Sequence, residues 1–140
     1  MTPGDTPVTL IREYDPVRDY PDVARNLRQA GLYDPDRDTE KLLSTYASSV
    51  LVAENESTVV GSVYVNEGIM PVVWRLVVRQ SHRRRGIGSL LLAAAEDRLK
   101  EQGHPDVELF VDANDGKLTA FYARRHYQDG DSYRSMWRML

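Results

Sequence analysis

The chain has 140 residues, 41% hydrophobic and 28% charged, which suits one ordinary globular domain and excludes a disordered chain. A net charge of −3 argues against a general nucleic-acid binder. With no cysteine there is no disulfide, thiolate metal site or covalent cysteine intermediate, and no apolar stretch reaches the ~20 residues that span a bilayer.

Residues 1–7 are polar and contain Pro3, Gly4 and Pro7; they are expected to form a flexible tail ahead of a single domain at 8–140. Residues 8–13 alternate and predict a first strand. Asp19 reads as the N-cap of a helix with Pro21 in its first turn, Val23, Leu27 and Ala30 inward, and Gly31 as the stop. A polar connection at 34–39 leads to a second short helix with Leu42, Leu43 and Tyr46 inward. Residues 50–53 and 58–66 flank the turn Glu54-Asn55-Glu56-Ser57 and predict a hairpin. After a break at 68–71, residues 72–78 form an apolar, β-branched strand. The helix at 86–102 carries Ile87, Leu90, Leu91, Ala94, Ala95 and Leu99 on one broad face and stops at Gly103. Residues 107–111 predict another strand and 115–125 a short helix. From 127 onward one or two terminal strands end in Met136-Trp137-Arg138-Met139-Leu140. The order βααβββαβαβ predicts a mixed α/β sheet with helices on both faces.

The stretch Arg83-Arg84-Arg85-Gly86-Ile87-Gly88 joins the strand at 72–78 to the long helix. A strand, a basic glycine-bearing loop and a helix start make a phosphate cradle. Glycine lets backbone amides approach an anion, the first-turn amides have no internal partners, and arginines add charge-assisted hydrogen bonds. A Walker loop would need two glycines five apart followed by Lys and Ser/Thr, which are missing. A dinucleotide fingerprint would need a glycine at position 91, which is Leu91. Three arginines in a row are ordinarily a solvated charge run. Two glycines at a helix start, each costing about 1 kcal/mol against alanine, favour the cradle.

At these residues the chain resembles the GNAT superfamily of acyl-CoA-dependent N-acetyltransferases, whose signature is a Gln/Arg-x-x-Gly-x-Gly/Ala loop between a fourth strand and a central helix. The resemblance extends to the order of elements and to Asn114 with Ala120-Phe121-Tyr122, similar to the family's Asn…Phe-Tyr segment. It implies a single-domain fold, α/β in the α+β sense, with a twisted sheet of about six to seven strands whose central strands splay apart. It also implies acetyl-CoA as cofactor. Amides from Arg84, Arg85, Gly86, Ile87, Gly88 and Ser89 would hold the pyrophosphate, with Arg83 of the signature also cofactor-binding, and Leu76, Val77 and Val78 would pair with the pantetheine arm. Asn114 would be a side-chain contact to the cofactor; it stands eight residues before Tyr122, where the family has seven. Lys117, Arg124 and Arg125 are candidates for the 3′-phosphate.

Direct transfer from thioester to amine needs a neutral amine, a stabilised carbonyl oxygen and a proton for the leaving thiolate. Tyr122 matches the family tyrosine that protonates the thiolate; its structural alternative is a buried aromatic on an amphipathic helix. Where many relatives carry a carboxylate on the fourth strand, this chain has Trp74 and Arg75. Arg75 cannot be a base but can clamp a substrate carboxylate or phosphate. Glu67 and Glu54 are the reserve bases, and His82 lies in the loop. His126 stands where the family usually has glycine, and Tyr127 where it has phenylalanine.

From Glu13 to Glu40 eight acidic residues face four arginines, a rim that would attract a cationic amine. The expected partner is a small-molecule or peptide amine, with no nucleic acid, no membrane and no metal; the segment 136–140 either pairs across a homodimer or completes the sheet. The N-terminus lacks a signal-peptide core, so the expected location is cytoplasmic. The rival reading is a non-catalytic acyl-CoA-binding or sensor module of the same fold, motivated by Arg75.

Overall fold

The computed structural model describes residues 8–140, so the expected tail at 1–7 lies outside the described residues. Two compact units divide the chain, one ending at Leu109 and the other Phe110–Leu140. In the first, β1 (Leu10–Glu13) leads to α1 (Tyr20–Gln29) and α2 (Thr39–Thr45), then β2 (Val50–Asn55), β3 (Thr58–Asn66), β4 (Val72–Val78) and α3 (Ile87–Glu101). The four strands form one antiparallel sheet in the order β1-β2-β3-β4.

Because side chains alternate along a strand, the valine-rich β2 and β3 bury both faces. Val50, Val52, Val59 and Val77 form one core with Val23 and Leu27 of α1, Leu43 of α2 and Tyr14. The other face receives α3 through Leu91 and Ile87, which lie against Gly61. Helices thus cover both faces, as the element order predicts. Full burial of a Val or Leu side chain contributes about 1.5–3 kcal/mol, and Val23, Val52, Val60, Val63, Leu91, Leu92 and Leu99 are all fully buried.

Gly61 sets how close α3 can come. A Cβ built there would lie 2.9 Å from the Val77 carbonyl oxygen and 3.0 Å from Leu91 Cδ1. The first contact is backbone in the next strand and cannot swing away. Gly61→Ala is expected to destabilise the chain by about 1–3 kcal/mol, read as a lowered urea midpoint at unchanged m-value.

Three expectations about faces and caps are corrected. Leu42 and Tyr46 are exposed rather than inward: four residues apart on one helix face, they turn away from the core while Leu43 enters it. In α3 the buried stripe is Ile87, Leu91, Leu92, Ala95 and Leu99, so Leu92 replaces Leu90, which is 47% exposed. Asp19 occupies the N-cap position of α1 but makes no capping bond, because its carboxylate is taken by Arg12.

The larger correction concerns strand number: among the described residues the sheet has four strands, not six or seven. In the segment 107–111 only Glu108 pairs, through an isolated parallel bridge to Val72, with Val73 N–H donating to the Glu108 carbonyl at 3.0 Å and Glu108 N–H to Pro71 at 2.9 Å. A bulge in β4 begins directly after Trp74, and a bulge bends a strand and interrupts its ladder. Residues 127–140 form no strand. Met136, Trp137, Met139 and Leu140 are exposed, and an apolar run without a paired neighbour is not a strand. Among the described residues no helix is long and apolar enough to cross a membrane.

In the second unit, α4 (Gly116–Ala123) is capped by Asp115, whose carboxylate accepts from Leu118 N–H at 3.0 Å. Beyond the C-cap Arg124, His126 adopts φ +71°, with Tyr127 N–H bonding the Tyr122 carbonyl. That left-handed conformation is the one glycine favours, which accounts for the glycine usual at this position.

Candidate active site

The segment after β4 folds back on the strand end. Arg79 leaves β4, Gln80–His82 make one 3₁₀ turn, Arg84 adopts φ +64° and Gly86 φ +78°. Gly86 is the N-cap of α3 and supplies no side-chain cap, and a Cβ there would meet nothing within 4 Å. The first intrahelical bond runs from Leu90 N–H to the Gly86 carbonyl, so the amides of Ile87, Gly88 and Ser89 lie ahead of the ladder. A helix start of this kind carries about half a positive charge and donors aimed outward. Arg83 donates from Nε to the Val78 carbonyl at 3.0 Å, clamping the loop to the end of β4. Arg84 and Arg85 are exposed beside the helix start. His82 bonds Ser81 at 2.7 Å, and burial, aided by Arg85 and Arg79, pushes its imidazole below the ordinary value.

The same loop is braced from α1. Arg79 donates from Nε to Asn26 Oδ1 at 2.8 Å and pairs with Asp22 at 3.6 Å. Asn26, 1% exposed, donates to the Val59 carbonyl at 3.0 Å, and Asp22 accepts from Val59 N–H. Gln80 N–H donates to Gln29 at 2.9 Å. Sequence reasoning missed this brace. The signal available was Asn26, a polar residue in the apolar stripe Val23, Leu27, Ala30.

At β4 the register slips: Tyr64 pairs with Trp74 and Ser62 with Val77, which leaves Val63 opposite both Arg75 and Leu76. Arg75 sits in this bulge at φ +52°, a conformation that costs a non-glycine residue about 1–2 kcal/mol. Beyond the bulge Leu76 and Val78 are half-buried and Val77 is buried. The Val78 carbonyl that Arg83 engages points away from β3, on the outer edge of the sheet.

Trp74 and Arg75 form one wall of a cleft of about 820 Å³, whose other walls come from Tyr64 in β3, Leu42 in α2 and Tyr46 just past its end. That size lies within the ordinary range for a small-molecule site. Burial pushes the Tyr64 phenol up, an effect that Arg75 opposes. Glu67 also borders the cleft, but its carboxylate is held by Arg98 at 3.2 Å and Gln102 at 3.0 Å. Glu54 is held by Arg12 at 3.4 Å and Arg18 at 3.7 Å. Both reserve bases are therefore occupied by cations or amides. Most of the acidic rim is similarly engaged: Asp15 with Arg18, Asp19 with Arg12, Asp22 with Arg79, Asp34 with Arg37, Glu13 with Arg98, and Asp38 as the cap of α2, while Asp36 and Glu40 stand exposed.

In the second unit Tyr122 is buried on α4, edge-on to Phe121 at 5.1 Å and to Tyr127 at 5.5 Å. Burial pushes its phenol above the ordinary value, against the pull of Arg125. The Arg125 guanidinium lies 3.6 Å over the Phe121 ring. Asn114 is exposed in a turn where its N–H donates to Asp112 at 2.9 Å, and Lys117 and Arg124 are exposed. The first unit thus joins the loop to the outer edge of β4 and joins Trp74 and Arg75 to one cleft. Asn114 and Tyr122 belong to the second unit with their own neighbours.

The acetyltransferase (GNAT) family model matches residues 14–127. An acetyltransferase of Sodalis glossinidius (strain morsitans) is 31% identical over 108 residues, covering 76% of this chain and 76% of that protein. Among solved structures, Ard1 from Thermoplasma volcanium has a TM-score of 0.72 at 25% identity, over 84% of this chain and 80% of that one. The PaiA N-acetyltransferase from Thermoplasma acidophilum in complex with coenzyme A has a TM-score of 0.73 at 22% identity, over 90% of this chain and 93% of that one, a likeness of fold.

Proposed function

The chain belongs to the GNAT family of acetyltransferases, and from that premise we propose that it is an acetyl-CoA-dependent N-acetyltransferase. It transfers the acetyl group directly to a primary amine of a small molecule or protein, in a ternary complex.

The observation that carries this reading is the start of α3. Gly86 is left-handed with open space over its Cα, three amides precede the helical ladder, and Arg84 and Arg85 stand beside them. Those donors suit a diphosphate, whose charge the helix start favours. The amides of residues 84–89 hold the pyrophosphate, the outer edge at Leu76 and Val78 takes the pantetheine arm as an added strand, and Asn114 contributes a side-chain contact. Acetyl-CoA supplies the activated thioester. As the acceptor nitrogen bonds to the acyl carbon and the C–S bond breaks, Tyr122 gives its phenolic proton to the departing sulfur. The acceptor's surplus proton leaves to water, since Glu54 and Glu67 are both engaged.

Thermal unfolding with and without coenzyme A tests the cradle. At a hundredfold excess over Kd the ligand is expected to add about 2.7 kcal/mol of stability. Gly86→Val forces a branched side chain into a left-handed position at a cost of about 1–2 kcal/mol. It is expected to remove most of the coenzyme A protection. A transition that coenzyme A leaves unmoved in the parent chain would overturn the reading.

A second reading, a non-catalytic acyl-CoA-binding module, draws on the same ion pairs: neither nearby carboxylate is free, and Arg75 stands where a base is common. It requires protection by coenzyme A without thiol release from acetyl-CoA over any amine.

A further inference from the structure

The charges around the cleft are matched with one exception. Asp34 pairs with Arg37 at 3.1 Å and Glu67 with Arg98 at 3.2 Å. Arg75 borders the cleft with no hydrogen bond or ion pair among the described residues. Its backbone is held at φ +52° by the β4 bulge, where glycine would sit without penalty. An unfavoured backbone that holds an exposed, unmatched guanidinium at the border of a cleft is a reason to ask what the side chain engages. The cleft's exposed apolar side chains are Trp74, Leu42 and Tyr46, set among polar ones such as Thr39, Ser49 and Asn66.

We propose that Arg75 is the anion anchor of the acceptor site, and that the acceptor is an amine bearing a carboxylate or phosphate on an apolar body. The inference rests on the acetyltransferase reading above. A guanidinium fork takes either anion through two parallel hydrogen bonds, and the aromatic walls take the apolar portion. Arg75 adjoins Leu76, where the strand edge assigned to the pantetheine arm begins, so an acceptor held at Arg75 lies beside the path of the acyl donor. A polyamine gains little here, because most of the acids expected to attract it are held by arginines or a helix cap, which leaves Asp36 and Glu40.

The test uses the full chain and thiol release from acetyl-CoA with five amines. L-Phenylalanine carries both features and L-phenylalaninamide lacks the anion. Phenethylamine has only the apolar body, phosphoethanolamine only a phosphate, and spermidine neither. Phenylalanine is expected to give the lowest KM. Arg75→Gln is expected to shrink the preference for phenylalanine over phenethylamine by about 10- to 100-fold, the loss of a charge-assisted pair. Arg75→Gly, freed of the backbone penalty, is expected to keep its fold and show the same loss. A higher phosphoethanolamine efficiency than that of phenylalanine would assign the anchor to phosphate. Phenylalaninamide or spermidine reacting as well as phenylalanine, or an unchanged preference in Arg75→Gln, overturns the proposal. If no amine turns over, calorimetry of N-acetyl-L-phenylalanine with the coenzyme A-saturated protein decides. Binding lost in Arg75→Gln upholds the anchor, and absent binding overturns it while leaving the cofactor reading intact. Failure of coenzyme A to protect the chain removes both.

Discussion

Tyr122→Phe is expected to lower kcat by about 10²- to 10⁴-fold, the range for loss of a positioned proton donor, with coenzyme A protection unchanged. The substitution keeps the ring, so the edge-on contacts with Phe121 and Tyr127 survive and the variant should fold as the parent does. Burial raises the phenol above its ordinary value, so it remains protonated at neutral pH and can act as an acid. The sign follows: the active form is the protonated one, and its contribution is lost as pH rises through the elevated value. The parent's alkaline limb therefore belongs above pH ~10, and Tyr122→Phe should lack it. An unchanged kcat would remove the tyrosine from the chemistry and leave it as packing.

Arg12→Ala is expected to cost about 3–5 kcal/mol of stability, because it strands a buried carboxylate. Arg12 holds both oxygens of Asp19 at 2.7 and 2.9 Å and reaches Glu54 at 3.4 Å, tying β1 to the start of α1 and to β2. The Asp19 side chain is 3% exposed. Burial alone would raise its carboxyl, but the Arg12 bonds and the Asp15 amide outweigh burial and hold it below the ordinary value. That stabilisation is present above the unfolded carboxylate pKa of about 3.9 and fades as pH falls through the lower folded value. Without Arg12 burial acts unopposed by the guanidinium, so the acid-unfolding midpoint should move to higher pH. The double variant Arg12→Met with Asp19→Asn should lose less than the two single losses combined. A urea-derived change under 1 kcal/mol for Arg12→Ala would deny the pair its structural role.

How much of this was legible in the amino acids depends on the range of the interaction. Val72–Val78 coincides with its apolar β-branched run, and α3 begins one residue after the expected glycine, because local pattern and turn chemistry decide both. The hairpin, the stop at Gly31 and the short helix after Asp115 were likewise local. Asn26 with Arg79 joins residues 53 apart, and Arg12 with Glu54 joins residues 42 apart. No window of neighbouring residues contains such pairs. The missing strands show the converse. Residue 108 does pair with β4 at Val72, but pairing requires a continuous edge, and the bulge at Arg75 interrupts the one β4 offers beyond that point. The cradle residues were named from spacing. What spacing could not show was that Glu54 and Glu67 were already bound to arginines, or that Arg75 was not bound to an acid.

The tight connection between β2 and β3 places Glu56 at φ +51° and Ser57 at φ +65°, both in the region reserved for asparagine and glycine in such turns. Neither residue borders the acceptor cleft, and Glu56 acts on His82 in the turn ahead of α3. The protein therefore holds tension at a place where relaxing it leaves the walls of the cleft alone, as expected of a chain that selection keeps just stable enough. Rewriting that corner as asparagine-glycine would give an engineer latitude to recut the substrate walls without losing the fold.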